Sequence, residues 1–352
     1  MEYSLRRYDI DWLRVIAIAM LLIYHTAIGF QSWGLMIGFI TNKSSWDSLW
    51  IAMSMMNIWR IPLLFFVSGM GVYFALQKRD WKQLIGERSK RILLPFIFGV
   101  ICIVPIHLLL LYKYYGWNYS YKPSPSHLWF LANIFIYTII LLPLFIYLKK
   151  HKDYFLLVKL RSILATPFGL IIVMMIFIAE AIIIKPYPYE LYAMTTHGFT
   201  LGLIAFICGY LFIYSGKPFW QMICRWRWVF ITLALSLYLY RSYFASLQVP
   251  LYQISIESSL WIYSVFAFGH KHLNRNSKAL SYLSQSAYPI YIIHMIFIYL
   301  ASYLFFPLDI DVRLKYLIVL VFLFGGSFVC YEFMIRRFRV IRPLFGLQNK
   351  KS

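Results

Sequence analysis

The stretch DIDWLRVIAIAMLLIYHTAIGF, residues 9–30, contains an apolar run of membrane-crossing length that nevertheless keeps Arg14 and His25. A span needs about 20 apolar residues, and an arginine at the bilayer centre costs at least about 2.5–3.5 kcal/mol. A chain that accepts this cost turns such residues toward the bundle interior, where they have a task. Arg14 and His25 are 11 residues apart, which on a helix is about three turns plus 20° and roughly 16 Å of rise, so they share one face. Arg14 lies near the helix entrance, where a basic residue also serves as an interfacial anchor. His25 lies past the middle, where a neutral imidazole bonded to a carbonyl is the plain structural alternative.

The remaining sequence repeats the apolar theme. Of the 352 residues, 61% are hydrophobic and 13% charged, and the mean hydropathy is +0.68, far above soluble proteins. Apolar runs fall near 12–31, 50–76, 92–112, 128–148, 166–185, 198–214, 228–245, 250–268, 286–306 and 314–334. The fold class expected is an all-α integral membrane protein, a bundle of about ten transmembrane helices. The spans near 198–268 are short or closely joined, so one of them is a candidate re-entrant segment.

Charge sets the topology. There are 34 Lys and Arg against 13 Asp and Glu, a net charge of +21. With the N-terminus cytoplasmic, 25 basic residues fall in inner segments, including six from Arg336 to Lys351, against six in outer ones and three inside spans. The positive-inside rule therefore expects both termini in the cytoplasm. So placed, the basic charge is topological and argues against nucleic acid as a partner. The first span has no small-residue cleavage site after it and reads as retained. Cys102, Cys208 and Cys330 fall in spans and Cys224 in an inner loop, with no CxxC pair, so no disulfide framework or metal site is expected. No segment outside the spans exceeds about 20 residues, too short for a separate domain; residues 1–352 read as a single membrane-embedded domain.

Other costly residues fall into two layers. Arg60, in NIWRIPLLFFVSGMG, lies about eleven residues below the outer end of the second run, roughly 16 Å deep, and Pro62 beside it frees a carbonyl. His294, in AYPIYIIHMIF, falls at a similar depth in the ninth. Glu180 and Glu257 are candidates to pair with Arg60 or Arg241. At the inner foot of the third run, Arg88-Ser89-Lys90-Arg91 places two arginines three apart, a fork suited to phosphate oxygens or, more plainly, inside-positive charge. The outer loops KYYGWNYSYKPSPSH and KPYPYELYAMTTH are rich in Tyr, Trp and Pro, which suits a lipid interface or a sugar ring.

These elements together carry a resemblance. YDIDWLRVIAIAMLLIYHT with its Arg-x10-His spacing, WRIPLLFFVSGMG, RSKRILLPF, HLWFL and YPIYIIH resemble the acyltransferase-3 family of membrane-bound acyltransferases, especially its glucan-biosynthesis branch, over nearly the whole chain. The resemblance implies transfer of an acyl group from cytoplasmic acyl-coenzyme A to a hydroxyl of an extracytoplasmic, cell-surface or periplasmic, polysaccharide across the cell inner (plasma) membrane. Acetyl is the first expectation and succinyl, from the branch, the second. It further implies that Arg14 and His25 are the essential pair and Arg88 and Arg91 the second arginine element.

The residues fit that chemistry. Phosphates of coenzyme A would meet Arg14, Arg88 and Arg91, and the roughly 16 Å of helix rise up to His25 matches an extended pantetheine arm. His25 serves as base or acyl carrier, Arg60 stabilises the oxyanion, and His294 shares their layer. No metal is required. The other class of reading is a transporter or flippase for a glycolipid or acyl compound, although no internal repeat of the kind common in transporters is seen. The oligomeric state is not legible.

Overall fold

The computed structural model describes residues 6–348, so Lys350 and Lys351 of the expected basic tail lie outside the described residues. Among these the protein is helical throughout, with no strand. In chain order the helices are α1 (Tyr8–Ile28), α2 (Leu49–Lys78), α3 (Trp81–Tyr115), α4 (Ser126–Lys150), α5 (Phe155–Leu164), α6 (Pro167–Ile184), α7 (Thr196–Tyr214), α8 (Gly216–Phe244), α9 (Leu251–His272), α10 (Lys278–Phe305) and α11 (Val312–Ile335).

Nine of the described helices are long and apolar enough to cross a membrane, all but α5 and α9. The all-α integral membrane class therefore holds, and the count of apolar spans is one fewer than the runs suggested. The difference is α9, which has 22 residues but buries Ser255, Glu257, Ser258, Ser259 and Ser264 in place of aliphatic side chains. Glu257 pairs with Arg241 and Ser258 bonds the Ile58 carbonyl, while Ser259 and Ser264 bond carbonyls one turn back on α9 itself, so the helix is polar by packing rather than by exposure. The segments near 198–268 form the helices α7, α8 and α9.

Helix α8 starts 12 residues before the apolar run at 228, so Cys224 sits within a helix and not in a loop. Its first half buries Phe219, Trp220 and Ile223 while carrying Arg225 and Arg227, an amphipathic pattern that a search for apolar runs passes over.

Helix α3 is not a regular α-helix. Two π-helical turns, Ser89–Leu93 and Gly99–Ile103, each end two residues before a proline, Pro95 and Pro105. A proline inside a helix lacks the N–H that would bond the carbonyl four residues back, and its ring crowds that carbonyl; the widened turn relieves both. The hydroxyl of Tyr121 donates to the Val100 carbonyl in the second widened turn.

The contacts divide the chain into two compact units. The first comprises Met1–Ala17, Met55–Ile85 and Asn133–Ser281, and the second Ile18–Ser54, Gly86–Ala132 and Tyr282–Ser352. In the first unit, α8 lies along α9 and α6 packs on α9. Helices α2 and α7 meet backbone to backbone: a Cβ at Gly69 would overlap the Phe206 carbonyl, and one at Gly209 the Phe66 carbonyl. Small residues at such crossings are the usual means of close packing in lipid, where the hydrophobic effect does not press helices together. The N-terminal end of α1 is anchored in this unit. Asp9, 1% exposed, accepts from Arg7 at 2.8 and 2.6 Å and from His270 Nδ1 at 3.1 Å, and the Arg7 guanidinium lies 3.9 Å from the Trp220 ring centroid.

Candidate functional site

The second unit joins His25 of α1 to His294 of α10. His294 Nδ1 lies 2.6 Å from the Tyr291 carbonyl, three residues back on its own helix. A carbonyl only accepts, so Nδ1 carries the proton, and neutral His294 has its lone pair on Nε2. His25 Nδ1 is 2.9 Å from that atom and must be the donor. The lone pair of neutral His25 is then on Nε2, the position of a base or nucleophile. A carbonyl, one histidine and a second histidine thus form a directed chain, in which His294 holds the tautomer and orientation of His25. The two rings stack with centroids 5.2 Å apart and planes 12° apart.

Surrounding residues fix this pair. His294 is fully buried and His25 half-buried. The Tyr291 hydroxyl donates to the His127 carbonyl at 2.5 Å, and His127 Nε2 donates to the Ile292 carbonyl at 3.0 Å; this reciprocal clamp ties the start of α4 to α10 beside His294. Gly99, in a widened turn of α3, makes room for Leu128, which a Cβ there would strike. Phe39, 5.6 Å from the His25 ring, arrives on the loop after α1, and Tyr299 donates to the Gly38 carbonyl of that loop.

The cluster is larger than the sequence suggested. The His127 ring packs edge-on against His294 at 5.2 Å and against His107 at 5.4 Å. Since Nε2 of His127 donates, its buried Nδ1 carries a lone pair, with no hydrogen-bond partner among the described residues. The criterion that selected His25, an ionisable group within an apolar run, applies equally to His107 in VPIHLLL. His127, at the start of a span, had only the HLWFL element to mark it.

Arg88 and Arg91 also belong to the second unit. Arg88 ends the first α-helical part of α3 and Arg91 lies in the first widened turn, so the regular turn assumed for a shared face is opened. Both guanidiniums nevertheless lie within electrostatic reach of the Tyr288 phenol. Arg91 donates to Glu87 at 2.9 Å, an exposed pair of small energetic weight. Gly346, with φ of 71°, brings the C-terminal turn against Tyr288 and the Arg91 carbonyl.

Arg14 and Arg60 fall in the first unit. Arg14, on the uninterrupted helix that continues to His25, faces Asp11 at 3.5 Å, and Asp11 also accepts from Arg6 at 2.9 Å. Arg60 is 1% exposed, with Nη2 3.5 Å from Asn57 Oδ1. Pro62 does free a carbonyl beside it: Ile58 O accepts from Tyr192 Oη at 3.0 Å and Ser258 Oγ at 2.8 Å.

The two acidic residues expected to pair with Arg60 or Arg241 separate. Glu257 forms a bidentate pair with Arg241 at 2.7 and 2.9 Å, the two side chains 0% and 1% exposed. Glu180 instead accepts from His197 Nδ1 at 3.0 Å and Thr200 Oγ1 at 2.6 Å. Among the described residues no group of three or more His, Cys, Asp or Glu is arranged to hold a metal ion.

An acyltransferase domain model of the acyltransferase-3 type matches residues 7–332. The chain belongs to the acyltransferase-3 family. Relatives include glucans biosynthesis protein C of Escherichia coli strain K12 and of Escherichia coli O157:H7, each 24% identical over 94% of this chain and 92% of the relative. No solved structure matches the chain. Family membership makes the protein an acyl-transferring enzyme, and its apolar helices make it a multi-pass membrane protein.

Proposed function

We propose that the protein transfers an acyl group from cytoplasmic acyl-coenzyme A to a hydroxyl of an extracytoplasmic glycan, across the inner membrane. The observation that carries this is the chain from the Tyr291 carbonyl through His294 to His25. Acyl transfer to an alcohol needs a group that removes the hydroxyl proton as the carbonyl carbon is attacked. His25 Nε2 is the base, and the imidazolium it becomes keeps its Nδ1–H bond to His294. His294 acts through His25 and is a positioning residue in this account. Arg88 and Arg91 take the donor phosphates, where guanidinium forks match phosphate oxygens.

The name of the relatives favours a glucan acceptor. Acetyl is the first donor to test and succinyl the second. The orientation that puts the donor inside follows from the basic residues concentrated on one side of the spans. Purified protein in detergent should release free coenzyme A thiol from acetyl- or succinyl-coenzyme A when glucose oligomers are added. No release with either donor would contradict the reading.

A further inference from the structure

Helix α8, in the first unit, is longer than a bilayer core requires. Its 29 residues rise about 44 Å, against about 30 Å of hydrocarbon. The exposed apolar side chains show which end holds the excess. They begin at Trp226 and Trp228, 39% and 62% exposed, and continue through Val229, Leu233 and Leu239. The stretch from 226 to 244 therefore fills the core, and the part up to Arg225 stands in the headgroup layer. Two exposed indoles at that boundary occupy the level that Trp takes at a membrane interface.

The charge at this boundary is one-sided. From Gly216 to Lys278 there are seven Lys and Arg and one carboxylate, Glu257, which is fully buried against Arg241. Helix α9 lies alongside: Cys224 Sγ donates to the Ala267 carbonyl at 3.6 Å, and the Trp228 ring meets Phe268 at 5.2 Å. Lys271, one turn beyond Ala267, comes to the same level, and it and Arg227 both lie within electrostatic reach of the Cys224 thiol. Asp9 reaches that thiol too, but it is 1% exposed and already accepts from Arg7 and His270. Arg225 and Lys271 are exposed. Arg227 donates Nη1–H to the Cys224 carbonyl at 2.6 Å, and its Nε has no hydrogen-bond partner among the described residues.

A surface that is cationic in the headgroup layer and apolar in the core fits a molecule with an anion at one end and hydrocarbon at the other. A soluble anion would leave the apolar face unused, and a zwitterionic lipid brings its own cation against the arginines. Arg225, Val229 and Leu233 share one face of α8 with Trp226, by their spacing of four, eight and one residues. We propose that Arg225, Arg227 and Lys271 bind the headgroup of an anionic phospholipid whose acyl chains lie along the Trp226, Val229 and Leu233 face of α8. This binding needs neither an acyl donor nor an acceptor.

The test is native mass spectrometry of the full-length protein released from detergent micelles that hold equal amounts of phosphatidylglycerol and phosphatidylcholine with the same acyl chains. Preferential retention of phosphatidylglycerol is expected. Each basic residue near an anionic lipid surface contributes about fivefold, so Arg225→Gln should reduce the preference by about that factor and the double variant with Lys271→Gln by about tenfold or more. The pair Lys152→Gln and Lys159→Gln, at exposed positions in and before α5, removes the same charge elsewhere and should leave the preference unchanged. Excess inorganic phosphate should not displace the lipid. Equal retention of both lipids by the wild type, an unchanged preference in the Arg225 variants, an equal fall in the two double variants, or displacement by phosphate would overturn the site.

Discussion

The imidazole of His25 takes its direction from His294, and the two kinds of replacement at 294 differ in what they leave. His294→Leu removes the acceptor of the His25 Nδ1–H bond; His294→Gln retains a carbonyl oxygen that can take it. We expect kcat to fall at least about tenfold in His294→Leu, with partial recovery in His294→Gln and a displaced acid limb of the pH–rate profile, read by coenzyme A release. Equal activity in all three proteins would remove His294 from the account. Arg241 and Glu257 test stability instead. Arg241→Met leaves the Glu257 charge buried and should cost about 3–5 kcal/mol in thermal unfolding, most of it regained in the double variant with Glu257→Leu. His25 and His294 were legible in the sequence because an ionisable group in an apolar run is rare. Their pairing across 269 positions was not, nor was the partner choice of Glu180, since residue type alone does not say which neighbour the fold brings near.

Among the elements, ten of the eleven helices lie where apolar runs stood, and α5, in a loop by that reading, is the exception. The departures have physical causes. Helix α8 begins early because its first half is amphipathic, and α9 is polar although its serines and glutamate are buried. Pro95 and Pro105 were visible, but the π turns before them follow from how the helix relieves each ring. The α2–α7 crossing makes a direct prediction. Gly69→Ala or Gly209→Ala forces two backbones apart and should lower stability by about 1–3 kcal/mol or more, whereas Gly325→Ala in α11, with open space at its Cβ, should be neutral or slightly stabilising. Thermal unfolding in detergent reads both. For α3, Arg88→Ala and Arg91→Ala should weaken acyl-coenzyme A binding in titrations, with Lys restoring it only in part because a point charge replaces a fork. Unchanged donor affinity would return both arginines to the inside-positive charge of the chain.

For the whole molecule, the bundle supplies what neither lipid nor water does: directed histidines and buried charge pairs inside an apolar exterior. The membrane class was legible because composition alone excludes a soluble fold. The division into two units, each assembled from three separate stretches of chain, was not, because contiguity in sequence says nothing about which halves of α1 to α4 pack together. The central claim is that acyl transfer to the glycan depends on His25 as its base. Mass spectrometry of envelope glycans from cells producing either the wild type or His25→Ala, at matched levels of membrane protein, tests it most directly. The account predicts glycan species heavier by one acetyl or one succinyl unit in the wild type, and their reduction by about 10²–10⁴-fold in the variant. Glycans equally acylated in both strains would contradict it.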